Sequence, residues 1–437
     1  MRTSILPPRA VRPRRRRTPA LLATLLVAAG ACTGTVTPGQ DRAAPSTASP
    51  DATSTDPGDD PSRTPDDPAA EPADPRGTLL AWGRGDITVD LVDVVAALPS
   101  VDAVAHTRSE TLGLVAAFDA AGAGALDLPA GFAVPVDVAA VDPATHPDVL
   151  APGPHRDAVA ALRPGEALLT DTGAALRRIG AGGRLGFTGG TVLRVVGVVS
   201  DWTAGRAEVV AHVADADALG IEPDGSLVVR HTAGAGAETD ALADALAATL
   251  PADVTARVVD AGTGGQEARR APLVLSLSQV KERFGEPAFR PRDGVREVDI
   301  DPAFRDEHVV TREVPLLGSV TCHAGIIDDL TAALEDVVAA GFGGWVDPAR
   351  YGGCWYPRRI RTDGARLSRH TWGIAIDINV DLAQPGGGEV PPEEVVAAFA
   401  RHGFRWGGDF LTTDNHHWEW VGPALAAQRP DRDDVTG

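Results

Sequence analysis

Ser368-Arg-His370-Thr-Trp-Gly373-Ile-Ala375-Ile-Asp377-Ile-Asn379 decides how this chain is read. From Ile374 to Val380 the residues alternate, so Ile374, Ile376 and Ile378 share one face and Ala375, Asp377 and Asn379 the other. The pattern predicts a strand with an apolar layer behind it and Asp377 on the opposite side. His370 lies in the loop feeding that strand, where Gly373 lets the chain turn back. A second phrase, Asp414-Asn-His416-His417-Trp-Glu419-Trp420, reads as another strand. Its alternation puts His417 and Glu419 on one face and Trp418 and Trp420 on the other. His416 then points into the packed side, so His417 is the candidate ligand.

Two histidines and an aspartate are a sufficient ligand set for a catalytic zinc. Three protein ligands leave a fourth position for water, whose pKa the ion lowers to ~7. Such chemistry needs a carboxylate to move a proton. Asp414, three residues before His417, is close enough to lean over the same ion. Glu419 is the competing candidate, either for that role or as the partner that fixes the ring of a ligand histidine. Taken singly, a histidine beside an aromatic is a packed or surface residue and an aspartate on a strand is an edge charge. The joint pattern and its spacing carry the reading.

Ser-x-His-x-x-Gly-x-Ala-x-Asp, followed by Asp-x-x-His before an aromatic and a Glu, resembles the zinc peptidases that cut peptidoglycan stem peptides. These are the VanY-like D-alanyl-D-alanine carboxypeptidases and the L-alanyl-D-glutamate endopeptidases of phage lysins. The resemblance covers residues 273–422. It implies a small α+β domain of the hedgehog/D,D-peptidase type with Zn2+ as cofactor. By it, His370, Asp377 and His417 are the metal ligands, Asp414 is the catalytic base and Ser368 helps hold substrate. Gly352-Gly-Cys354-Trp-Tyr-Pro-Arg358-Arg-Ile is similar to the family's Arg-bearing loop. It makes Arg358 the oxyanion stabiliser, with Arg359 as the near alternative. Asp-x-x-His stands where the carboxypeptidase branch has Glu-x-x-His, which leans towards the endopeptidase branch. His416 stands where Pro or Met is common.

Outward from this region, the composition sets limits. The chain of 437 residues carries 60 Asp+Glu against 40 Lys+Arg, a net charge of -20, which argues against a nucleic-acid partner. Its one lysine, Lys281, reads as a coding bias towards arginine. Residues 1–31 hold seven Arg and no acid, then a short apolar run and small residues: a secretory signal. Val27-Ala-Ala-Gly-Ala-Cys32 resembles a bacterial lipobox, which implies lipidation of Cys32 and anchoring at the outer face of the cell membrane. Residues 32–77, rich in Pro, Ser, Thr and Asp, read as a disordered tether. With Cys32 lipidated, Cys322 and Cys354 remain as a pair, and an extracytoplasmic setting favours a disulfide between them.

Residues 78–262 read as a separate α+β sandwich domain. Asp90–Leu98 and Asp240–Leu250 have helical spacing, each ends at Pro, and each is followed by a strand: Val101–Ala105 and Val254–Val259. Leu185–Phe187, Thr191–Val199 and Ala207–Val213 read as further strands. Leu162–Val199 is similar to the extracytoplasmic domain of MacB- and FtsX-like permeases, which implies an envelope protein partner. Residues 423–437 read as a flexible tail. The leading reading is an envelope-anchored peptidoglycan peptidase. The rival is a catalytically weak wall-binding or scaffold lipoprotein.

Overall fold

The computed structural model describes residues 76–427, apart from 84–86, 202, 204, 206, 234–235, 252–253, 261–273, 361–363, 382–388 and 411–412. The expected signal peptide, Cys32 and nearly all of the tether lie outside the described residues, as does the chain beyond residue 427. What is described falls in one compact unit and is α+β, as its sequence patterns predict.

Strands β1 (Gly77–Gly83), β2 (Val101–Phe118), β3 (Val134–Val141), β4 (Glu166–Thr170), β5 (Arg184–Phe187), β6 (Val192–Val199), β7 (Val209–His212), β8 (Ser226–His231) and β9 (Val254–Asp260) make up the first part. Their order is β3-β7-β4-β6-β5-β2-β8-β1-β9, and β2 also pairs with β3. Six strands therefore close into a barrel, while β2-β8-β1-β9 continues as an open sheet. The 18-residue β2 serves both. Val101–Thr107 pairs with β8, Thr107–Leu114 with β3 and Leu114–Phe118 with β5.

The open sheet is built from the repeated unit. Helices Leu91–Ala96 and Ala237–Thr249 each connect two of its strands and bury Val95, Leu242 and Leu246 against Leu79, Ala81, Val104, Leu227 and Val229. In the barrel, neighbouring residues of one strand enter different cores. Leu169 and Val209 pack with Leu185 and Phe187, whereas Leu168 and Val210 pack with Val159 and Leu162. Burial on both sides explains why these strands read as unbroken apolar runs.

The second part begins with helix Leu277–Phe284, capped reciprocally by Ser276 and Gln279. A pair β10 (Phe289–Pro291) and β11 (Val298–Ile300) follows, then the hairpin β12 (Val309–Val314) and β13 (Gly318–His323). The last sheet has the order β14-β16-β15, from β14 (Ala375–Asp377), β15 (Phe404–Trp406) and β16 (His417–Trp420). Helices Ile327–Ala339 and Glu393–Arg401 pack over its apolar face, burying Leu330, Leu334 and Phe399 against Ile374, Ile376 and Trp418. The Phe399 and Trp418 rings lie 4.3 Å apart. Each such side chain contributes ~1.5–3 kcal/mol of burial, so the sheet is held rigidly from behind. Residues 423–426, expected as the start of a flexible tail, form a helical turn instead. Ala426 is buried there, and Arg405 binds the Leu425 carbonyl.

Several contacts join the parts, among them the following two. Ala133 and Phe289 exchange backbone hydrogen bonds of 2.9 and 2.8 Å. Below them the chain's only lysine, Lys281, is buried: its Nζ donates to the Pro135 carbonyl at 2.7 Å and to Glu208 at 2.6 Å, and lies 2.9 Å from Glu286. Arg177 pairs with the same two carboxylates, at 3.2 and 2.6 Å.

Candidate metal centre

The β14–β16 register sets Asp377 opposite His417, Ile376 opposite Trp418 and Ala375 opposite Glu419. Asp377, His417 and Glu419 thus share a polar face, and the Ile and Trp side chains share the buried one. The strand ends sooner than its alternation predicts. Asn379 has φ +56°, a left-handed conformation, and its side chain accepts from the Asp347 N–H and donates to the Trp345 carbonyl. It braces a neighbouring loop and does not join the face of Asp377. His416 also departs from its expected place. It precedes β16, in a turn, and its Nε2 lies 3.1 Å from Asp414 Oδ1 rather than in the packed side.

His370 sits on the single turn Arg369–Thr371. Its Nε2 is 3.1 Å from Asp377 Oδ1 and 3.3 Å from His417 Nδ1, and His417 Nδ1 is 3.0 Å from the same Asp377 oxygen. All three residues are wholly or largely buried. Behind them, His370 Nδ1 donates to the Cys354 carbonyl at 2.9 Å, since a carbonyl can only accept. That bond leaves the Nε2 lone pair facing inwards. On the other side His417 Nε2 lies 3.7 Å from Glu419, whose carboxylate is held by Arg369 at 3.2 Å.

The charges follow from this geometry. Burial works against an ionised Asp377, but the two neighbouring imidazoles, His370 and the protonated His417, outweigh it and hold the carboxyl far below the usual range. Burial disfavours a charged His417 too, yet Asp377 and Glu419 together push it up to about 9. His370, more dominated by burial, is lowered. Burial raises Glu419, and His417 and Arg369 overcome that to keep it ionised. The His417 proton therefore occupies the point where two imidazole nitrogens and a carboxylate oxygen converge. A cation fits the same donor set: three ligand atoms within 4.8 Å of one another, with the outer nitrogen of His370 hydrogen-bonded and that of His417 facing a carboxylate.

Arg358 and Arg359, which the sequence leaves as alternatives, face opposite ways. The Arg358 guanidinium is 4.0 Å from Asp377 and stacks over the Tyr356 ring at 5.0 Å. Its backbone is gripped by Thr371, whose hydroxyl accepts from the Arg358 N–H and donates to its carbonyl, both at 3.1 Å. Arg359 turns away and donates to the Val295 carbonyl. Ser368 is buried just before the His370 turn, its N–H on the Arg358 carbonyl. Asp414 is part-exposed and lies on a turn closed by its N–H to Gly407 O and by His417 N–H to its own carbonyl. A Cβ at Gly407 would come within 2.5 Å of the Asp414 carbonyl oxygen, so only glycine allows that approach. The Cys322 and Cys354 sulfurs are at bonding distance, 2.05 Å, tying β13 to the loop whose carbonyl orients His370. Thr371 and the Cys354 carbonyl escape sequence reading, because a hydroxyl gripping a backbone has no pattern of its own.

Residues 362–420 match the family model of D-alanyl-D-alanine carboxypeptidases. No curated protein matches. Among solved structures, the periplasmic region of MacB from Actinobacillus actinomycetemcomitans is 12% identical, covering 41% of this chain and 88% of that one, with a TM-score of 0.29. The extracellular domain of the noncanonic ABC-type transporter YknZ from Gram-positive bacteria is 11% identical, covering 41% and 99%, with a TM-score of 0.28. The segment holding His370, Asp377, Asp414 and His417 is thus similar to D-alanyl-D-alanine carboxypeptidases.

Proposed function

We propose that this protein is a zinc-dependent hydrolase of peptidoglycan stem peptides, held at the outer face of the bacterial membrane by a lipid on Cys32. The convergence of His370 Nε2, Asp377 Oδ1 and His417 Nδ1 within 3.0–3.3 Å carries the reading, and the family match over 362–420 supports it. Zinc held by these atoms supplies a Lewis acid for the scissile carbonyl. Asp414, at the part-exposed edge of the centre, takes a proton from the attacking water and delivers it to the leaving amine. Arg358 is a fixed cation beside Asp377, aimed at the negative charge that develops on the carbonyl oxygen. Glu419 orients the His417 ring through Nε2 and is itself anchored by Arg369, which favours the orienting role over that of base. Ser368 helps to hold substrate beside the Arg358 backbone.

The Asp-x-x-His phrase favours cleavage between L-Ala and D-Glu over removal of a terminal D-Ala. Among the described residues no helix is long and apolar enough to cross a membrane. In this reading the lipid on Cys32 supplies retention, and residues 78–262 meet an envelope protein partner. Metal analysis of the purified chain should find about one zinc, and His370→Ala should find none. Mass spectrometry of digested muropeptides then names the bond. Released D-Ala means carboxypeptidase; a new L-Ala carboxyl terminus with D-Glu-led fragments means endopeptidase. Zinc-free native protein together with unchanged muropeptides would sink the reading.

A further inference from the structure

Among the described residues, the Arg358 guanidinium makes no hydrogen bond. It stands 4.0 Å from Asp377 Oδ2, too far for one, and its carbon lies 5.0 Å from the centroid of the Tyr356 ring. A guanidinium has five N–H donors, and a carboxylate so near normally draws it into a pair at about 2.8 Å. Tyr356 is itself fixed at both ends. Its N–H donates to the carbonyl of His370 at 2.9 Å, and its hydroxyl donates to Glu297. That bond holds the Glu297 carboxyl below its usual range and raises the phenol, so the proton stays on the tyrosine. Glu297 stands opposite Arg358 in a short antiparallel pairing, flanked by Val298 N–H to Pro357 O at 3.3 Å and Arg359 N–H to Arg296 O at 2.8 Å. The contacts therefore close a circuit: guanidinium on ring, ring hydroxyl on Glu297, and Glu297 backbone against Arg358. Tyr356 is 44% exposed, so filling a core does not account for it.

We propose that Tyr356, braced by Glu297, is a positioning residue that sets where the Arg358 guanidinium points, keeping it off Asp377 and its donors free for the substrate's carbonyl oxygen. The inference rests on the peptidase reading, in which Arg358 meets the charge developing on that oxygen. A cation over an aromatic face is attracted by the ring quadrupole without spending its N–H groups. The ring can thus hold the arginine and leave every donor unused, whereas an acidic partner in its place would occupy them. The bond from the hydroxyl to a carboxylate is charge-assisted and fixes the tilt of the ring.

Two measurements on the zinc-loaded full chain test this: muropeptide hydrolysis, and calorimetric titration with inorganic phosphate, a tetrahedral anion whose binding needs no turnover. Tyr356→Leu should lower kcat ~10-fold with KM within ~2-fold, and weaken phosphate ~5–10-fold, at unchanged zinc content. Tyr356→Phe keeps the aromatic face and should retain kcat to within ~3-fold, as should Glu297→Gln. In an Arg358→Met background, Tyr356→Leu should change neither quantity further, because the tyrosine acts through the arginine. The full Tyr356→Leu effect in that background would make the tyrosine a substrate contact and overturn the proposal. Native kcat and phosphate affinity in Tyr356→Leu would overturn it too. Muropeptides left uncut by the native protein, with the coupling of Tyr356 to Arg358 intact in phosphate binding, would count against the peptidase reading and support the positioning role.

Discussion

Arg177, Glu208, Lys281 and Glu286 form one buried cluster of ionisable groups; His370, Asp377 and His417 form another. The first has two cations and two anions, and its carboxylates are shared between both bases. Burial pushes Glu208 up. It works against an ionised Glu286 as well, but Lys281 and Arg177 outweigh it and hold that carboxyl below its usual value. Nothing in this cluster is left to receive a ligand. The second is arranged the other way round, with hydrogen bonds or carboxylates on its outside and acceptor atoms meeting at one internal point. Burial and charge are common to both. Convergence of unshared lone pairs is what separates a site from a staple.

The comparison has consequences of graded size. Asp414→Asn should cut turnover by ~10²–10⁴ while zinc stays bound, because the proposed base lies outside the proposed ligand set; a variant with full activity would move the role to Glu419. Lys281→Met leaves two buried carboxylates with one cation and orphans the Pro135 carbonyl. It should cost ~3–5 kcal/mol of stability in denaturant titration and leave zinc affinity per folded molecule unchanged. Intact stability there would break the contrast from the staple side. Glu419→Gln should weaken zinc binding ~10–100-fold without unfolding the domain. Unchanged affinity would remove the outer support assigned to His417.

The smallest effect concerns His323, which belongs to neither cluster. It donates to the Phe284 carbonyl and accepts from the Gly325 N–H, a neutral ring with both nitrogens used. Burial lowers it to about 4, against ~6.5 in the unfolded chain. The unfolded state thus binds the extra proton first. The contribution of His323 is complete above about pH 6.5 and is lost as pH falls towards 4. His323→Gln should flatten the melting temperature over that interval; an unaltered slope would assign the acid sensitivity elsewhere.

How much of this was legible from residues alone depends on the range of the interaction. The faces of Asp377, His417 and Glu419 follow from period-two alternation, because a strand packed on one side has only one register that buries its isoleucines and tryptophans. The repeated helix and strand unit of the open sheet is legible for the same local reason. Asn379 and His416 are misread where a turn ends the strand: left-handed φ at one, a turn closed on Asp414 at the other. Arg358 and Arg359 are neighbours, and only the grip of Thr371 and the pull of Val295 separate them. Lys281 reads as compositional accident because its partners, Glu208 and Pro135, are remote in sequence. The closure of the barrel is hidden too, since nothing local marks β2 for three partner strands.

That shared strand has a mechanical consequence. Fully extended, 18 residues reach about 60 Å. Because β2 is stitched to β8 at one end and to β3 and β5 at the other, one continuous strand links open sheet and barrel. Tension applied at β1 would cross lateral hydrogen bonds into β8 and from there into β2, and run along that strand into the barrel. This end of the described structure would therefore carry a pull as a beam does rather than flex as a joint.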